Sequence, residues 1–180
     1  MHNYLVISAL GEDRPGIVDQ LSKVVLDGGC NIEDSRMTVL GGEFAVLLLI
    51  SGPWNSIAKV ETGLERVAEE LELTVATKRT EERDSRRHLM PYAIDVVALD
   101  HPGIVHNLAH FFSSRNINIE DMVTSSYAAA HTGAPMFAVR LIVDIPAEFQ
   151  IASLRDEFLD FCDELNVDAV FERAITESGV

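Results

Sequence analysis

Two short turns hold the residues best placed to do chemistry in this chain: Asp13-Arg14-Pro15-Gly16-Ile17 and Asp100-His101-Pro102-Gly103-Ile104. Each lies where a strand-like run gives way to a helix-like one. Backbone amides at a helix start lack intrahelical acceptors and carry partial positive charge. A glycine at position 16 or 103 lets another group approach the backbone closely. Such a turn can hold a small carboxylate. Asn31 and Asn118 start the next strand in each case, expected near the same turn, and an amide side chain donates and accepts at once. A free amino acid, with its carboxylate and ammonium, suits that set. The candidate ligand residues are therefore Asp13 to Ile17 with Asn31, and Asp100 to Ile104 with Asn118. Asp13 and Asp100 could equally brace their loops, and the competing reading is that Pro-Gly and Asn only build turns and caps.

Other constellations point less clearly to chemistry. His106 and His110 stand one helical turn apart, a spacing that can bind metal, but two histidines are not a closed shell. Their counterparts in the other half of the chain are Asp19 and Lys23. Glu33-Asp34 and Glu120-Asp121 look like paired acids, yet adjacent strand residues point to opposite faces, so neither pair reads as a general acid/base dyad. No phosphate-binding loop or nucleophile–histidine arrangement is signalled.

The elements that position the turns come from an internal repeat. Asp13-Arg-Pro-Gly-Ile-Val18 recurs as Asp100-His-Pro-Gly-Ile-Val105, and Asn31-Ile-Glu-Asp34 as Asn118-Ile-Glu-Asp121, both at an offset of 87. Phe44-Ala-Val46 recurs as Phe137-Ala-Val139 at an offset of 93, so six residues are inserted within Tyr127 to Pro135. Ile17, Val18, Leu21, Val24 and Val25 form an amphipathic helical stripe, matched by Ile104, Val105, Leu108, Phe111 and Phe112. Pro15 and Pro102 suit a first helical turn; Gly28-Gly29 and Asn116 suit the helix ends. Strands are expected over Tyr4–Leu10, Asn31–Leu40, Glu43–Ser51 and Thr74–Arg79. Their repeats are Tyr92–Leu99, Asn118–Ser126, Met136–Asp144 and Asp168–Arg173. Gly41-Gly42 should make a tight hairpin. Second helices are expected over Asn55–Glu72 and Phe149–Leu165. The order strand, helix, strand, strand, helix, strand, twice over, predicts an α+β chain of two tandem ferredoxin-like units, each an antiparallel sheet with helices on one face. The units should span 1–80 and 91–175, joined by a charged linker at 81–90.

Bulk properties narrow the function. Of 180 residues, 29 are acidic and 14 are Lys or Arg, a formal charge of −15. That argues against direct nucleic-acid binding, which draws its affinity from clustered cations. The basic residues Lys78, Arg79, Arg83, Arg86 and Arg87 are interrupted by acids and read as a solvated linker. Cys30 and Cys162 form no CxxC and read as reduced cysteines of a cytoplasmic protein. No apolar run is long enough for a membrane helix, and no secretory signal is evident.

A βαββαβ unit with an Asp-x-Pro-Gly-Ile-Val turn and a following Asn-Ile resembles the ACT domain. Longer stretches, Tyr4 to Val18, Gly29 to Arg36, Ser51 to Asn55 and Lys78 to Thr80, resemble the glycine cleavage system transcriptional repressor family. In the second half the likeness rests on Asp100 to Val105 and Asn118 to Glu120. That resemblance implies tandem ACT domains, no catalysis, no cofactor, and an amino-acid effector, glycine being the most plausible, seated where two such domains meet. It also implies a cytoplasmic regulator, a homodimer, acting through contact with a DNA-binding protein. His101 stands where the first copy has Arg14, so the two sites should differ. The alternatives are a ligand-independent interaction module, whose exposed sheet edges would pair, and a metal-dependent enzyme using His106 and His110.

Overall fold

Alternating strand and helix periodicity folds as the repeat predicts. A computed structural model describes residues 3–82 and 89–174. The first unit holds β1 (Asn3–Glu12), α1 (Ile17–Gly28), β2 (Asn31–Leu40), β3 (Glu43–Gly52), α2 (Trp54–Glu70) and β4 (Thr74–Thr80). The second holds β5 (Leu89–Leu99), α3 (Ile104–Ser113), β6 (Asn118–Ala128), β7 (Pro135–Pro146), α4 (Ile151–Glu164) and β8 (Asp168–Arg173). Each unit is an antiparallel four-stranded sheet, ordered β2-β3-β1-β4 and β6-β7-β5-β8. Strand β5 starts at Leu89 rather than Tyr92, because β7 runs on to Pro146 and pairs with it. Lys78 and Arg79 belong to β4, while Arg83, Arg86 and Arg87 lie outside the described residues.

The turns follow local chemistry. Gly41, at φ 66°, lets Leu40 and Glu43 pair across a two-residue hairpin. The six-residue insertion becomes the loop between Ala128 and Pro135. Gly29 (φ 76°) and Asn116 (φ 54°) supply left-handed conformations after α1 and α3. Pro15 and Pro102 stand one residue before the helix caps, which are Gly16 and Gly103, rather than inside the first turns.

Side chains on the helix-covered faces form one core per unit. The stripes bury Ile17, Leu21, Val24 and Val25 in α1, and Ile104, Leu108, Phe111 and Phe112 in α3. Val18 is the exception at 44 % exposure. It overlooks a groove above the edge strand β2, lined with Ile32 and Met37, which no described element of the first unit covers. Strand β3 is central, as its apolar run predicts, yet Leu47 is 52 % exposed because helices cover only one face of the sheet.

The two units reach the same fold by different packing. In the first, Gly28 and Gly63 let α1 and α2 approach closely. A Cβ at Gly28 would meet Val60 Cγ2 at 2.4 Å, and one at Gly63 would meet Val24 Cγ1 at 2.8 Å. In the second, the equivalent positions hold Arg115 and Glu157, which form an ion pair at 3.2 Å. Phe111 and Phe112 fill the space where the first unit has Val24 and Val25.

Both cysteines are free and buried. Burial, aided by Asp163, pushes the Cys162 thiol up to about 12, and burial raises Cys30 as well. Unfolded thiols ionise near about 8.5. Above that pH the unfolded chain loses protons that the folded chain keeps, so stability falls as pH climbs toward about 12. The urea midpoint should therefore drop between about pH 8 and about pH 10.5. Cys162→Ala should shrink that drop, though it lowers the midpoint at neutral pH by deleting a buried sulfur.

Candidate functional site

The chain leaves β1, turns at Asp13 to Gly16, and enters α1. Gly16 caps the helix at φ 99°, ψ −12°, and Gly103 caps α3 at φ 100°, ψ −10°. A residue with a Cβ rarely adopts that conformation. No side chain caps either helix, so first-turn amides are left to solvent or to a ligand. Each turn is stapled to the neighbouring hairpin: Asp13 N–H donates to Gly42 O at 3.0 Å, and Asp100 N–H donates to Pro135 O at 2.9 Å. A Cβ on Gly16 would meet nothing within 4 Å, and one on Gly103 only Asn107 Nδ2 at 3.8 Å. The glycines are thus required for the sign of φ rather than for packing within the unit, and the space above them is open. Ile17 and Ile104 point into the core.

Arg14 turns away from this space. Its Nη2 donates to Leu71 O at the end of α2, and its Nε is buried without a partner. Among the described residues His101, its counterpart, reaches the carbonyl of Pro102, with Nδ1 at 3.1 Å. The guanidinium is long enough to strap the turn to α2, whereas the imidazole is not. Arg14→Ala should cost the first unit about 1–2 kcal/mol in chemical denaturation and leave amino-acid affinity unchanged. A loss of affinity at unchanged stability would return Arg14 to the ligand set.

Asn31 and Asn118 are not beside the turns of their own units. Asn31 pairs with Ser51, while Leu40 pairs with Glu43. The Asp13 turn sits at the Glu43 end, so about 27 Å of strand, eight residues at about 3.4 Å each, separates it from Asn31. Helix α1 carries the chain back to the far end of the sheet before β2 begins. Asn118 likewise faces Asp144 and lines a groove with His106, His110 and Ser113 at the flank of α3. Both Asn-Ile-Glu-Asp motifs contain a register shift, at Glu33 and at Glu120. A bulge of this kind inserts one unpaired residue and overrides strict face alternation. Glu33 accepts a hydrogen bond from the buried Ser51, and Glu120 accepts one from Asn118 Nδ2 at 2.7 Å. Glu33 and Glu120 therefore sit at the bulges, which single-residue periodicity could not reveal.

The His106 and His110 rings stack with centroids 6.2 Å apart on an exposed helix face. Among the described residues, no three His, Cys, Asp or Glu side chains gather as a metal site. Sequence reasoning also passed over the apolar edge formed by Val18, Ile32 and Met37. Its signal was present: β2 carries Ile32, Met37, Val39 and Leu40 although it is an outer strand.

Two βαββαβ units, each with a glycine-capped turn before its first helix, define a tandem ACT-domain protein. The ACT domain family model matches residues 3–78. The chain is 37 % identical over 166 residues to the glycine cleavage system transcriptional repressor of Escherichia coli (strain K12), spanning 91 % of this chain and 86 % of that one. It belongs to the glycine cleavage system transcriptional repressor family. A crystal structure given that name provisionally is 30 % identical and superposes with a TM-score of 0.73, covering 97 % of this chain and 98 % of the other. The fold also matches a protein of Galdieria sulphuraria at TM-score 0.77 and 24 % identity, over 97 % and 100 % of the two chains. No helix among the described residues is long and apolar enough to cross a membrane.

Proposed function

We propose that this chain is a non-catalytic, amino-acid-responsive regulator that works in the cytoplasm by contacting a DNA-binding protein, with glycine as its effector. The observation that carries the reading is the pair of uncapped helix starts, alike in backbone to within a few degrees and open above the glycine. Such a start presents several N–H groups and a positive dipole end to a carboxylate. The name of the Escherichia coli relative supports a repressor role and ties it to glycine. The charge of −15 supports action through protein rather than through phosphates.

The backbone of the Asp13 to Ile17 turn and the side chain of Asn31 can share one ligand only if they come from two chains. Antiparallel pairing of β2 with β2 of a second copy sets the Asn31 end of each strand beside the Leu40 end of the other, and so beside its Asp13 turn. The exposed Val18, Ile32 and Met37 supply apolar area for that contact. A homodimer of this form puts backbone N–H donors for the carboxylate from one chain, and the Asn31 amide from the other, around a zwitterion.

Regulation then requires that glycine favour one arrangement of the partner complex over another. Calorimetric titration with glycine and a panel of other amino acids tests the reading. Binding of glycine at or below millimolar concentration, weakened when Met37→Glu disrupts the dimer, is the expected outcome. Silence from every amino acid at millimolar concentration overturns it.

A further inference from the structure

In the first unit, α2 and the edge strand β4 leave an open groove of about 990 Å³ between them. Val75, Thr77 and Arg79 alternate along its strand wall. Glu61, Glu65 and Glu69 recur every fourth residue along its helix wall. Trp54 stands at one end, 62 % exposed. Arg79, the cation lining the groove, is already held: it forms two hydrogen bonds with Glu61, at 2.7 and 3.2 Å, and its guanidinium lies 5.5 Å from the Trp54 ring. Glu65 and Glu69 carry no ion pair among the described residues. Strand β4 is outermost, so one row of its backbone groups has no strand partner in its sheet.

We propose that this groove docks an extended, basic segment of a partner protein, laid beside β4 as a fifth strand. Strand addition satisfies the open backbone row, and alternate side chains of the segment face α2. Lysines or arginines at those positions reach Glu65 and Glu69, and an apolar residue covers Trp54. The lengths agree. Trp54 to Glu69 spans about 22 Å of helix, and a seven-residue strand such as β4 spans about 23 Å. Charge sets the sign of the partner, because the groove's unpaired charges are both negative on a chain of net −15. The second unit does not repeat the device: by helix register Arg155 stands where the first has Glu61, and Leu159 where it has Glu65. The proposal rests on the reading that the chain acts through another protein, and it names the surface.

The test uses the full chain and a seven-residue peptide alternating lysine with valine. Trp54 is the single tryptophan, so its emission reports occupancy of this groove directly. Saturating peptide should shift that emission to the blue, and E65Q/E69Q should weaken binding at least tenfold while circular dichroism stays unchanged. A peptide of the same composition with its lysines in one block should bind at least tenfold more weakly. An unmoved emission, or equal affinity in E65Q/E69Q, overturns the proposal. So does a tenfold tightening in R83Q/R86Q/R87Q, which would make the chain's own basic segment the occupant. Glycine titration of E65Q/E69Q separates this idea from the effector reading: the glycine heat should persist whatever the groove does.

Discussion

Phe158→Ala is expected to destabilise the second unit by about 3–5 kcal/mol, the usual cost of emptying a buried phenylalanine site. Phe158 is fully buried. Its ring lies 5.1 Å from Phe111, 5.2 Å from Phe112 and 5.8 Å from Phe171, centroid to centroid. The three rings left around the site cannot collapse into the space without leaving their own contacts, so most of the cavity should persist. Leu64, the equivalent residue of the first unit, sits in a core that is aliphatic apart from Phe44 and Cys30. There the Gly28 and Gly63 contacts, not ring size, set the helix spacing. Leu64→Ala should therefore cost less, nearer the lower end of about 2–5 kcal/mol. Urea denaturation of both variants, followed by circular dichroism, checks the order. Equal losses would mean that the aromatic cluster adds nothing beyond apolar volume.

The largest functional effect should come from the helix caps. Gly16→Val together with Gly103→Val is expected to abolish amino-acid uptake in calorimetry, a loss of at least about a hundredfold, or about 2.7 kcal/mol. The space above both glycines is open, so no collision drives the effect. Its cause is φ near +100°, which a β-branched residue adopts only with strain of about 1–3 kcal/mol. Relief of that strain swings the first-turn amides away from their common focus. The substitution should also lower the stability of its unit by a similar amount, so a milder variant is needed to separate the two effects. Asn tolerates left-handed backbone better than Val does. Gly16→Asn should keep most of the stability and part of the binding. If Gly16→Val and Gly103→Val bind glycine as the parent does, the caps are architectural and the effector reading fails. Each single variant shows which unit takes the ligand, a point on which Arg14 and His101 already make the units unlike.

The fold was legible because the repeat gave every element twice. Asp13 to Val18 with Asp100 to Val105, and Asn31 to Asp34 with Asn118 to Asp121, locate both turns and both following strands. Apolar stripes then identified Leu21, Leu108, Leu64 and Phe158 as core. The candidate site was legible only in part. Asn31 was expected beside the Asp13 turn and stands at the other end of the sheet, although the order strand, helix, strand already implies that a helix returns the chain to where the strand began. Arg14 looked like a ligand until its reach to Leu71 was known. Val18 belonged to the apolar stripe by period and yet is 44 % exposed, above the edge strand β2.

What the order of residues determined by itself is therefore local: where strands and helices begin, which glycines must bear positive φ, and that the unit occurs twice. Tertiary structure alone decided which ends meet, where β2 and β6 slip by a residue, and which polar groups are consumed inside the fold. Periodicity and cap chemistry act over a few bonds, whereas strand pairing and a side chain's choice of partner depend on groups brought together from distant parts of the chain.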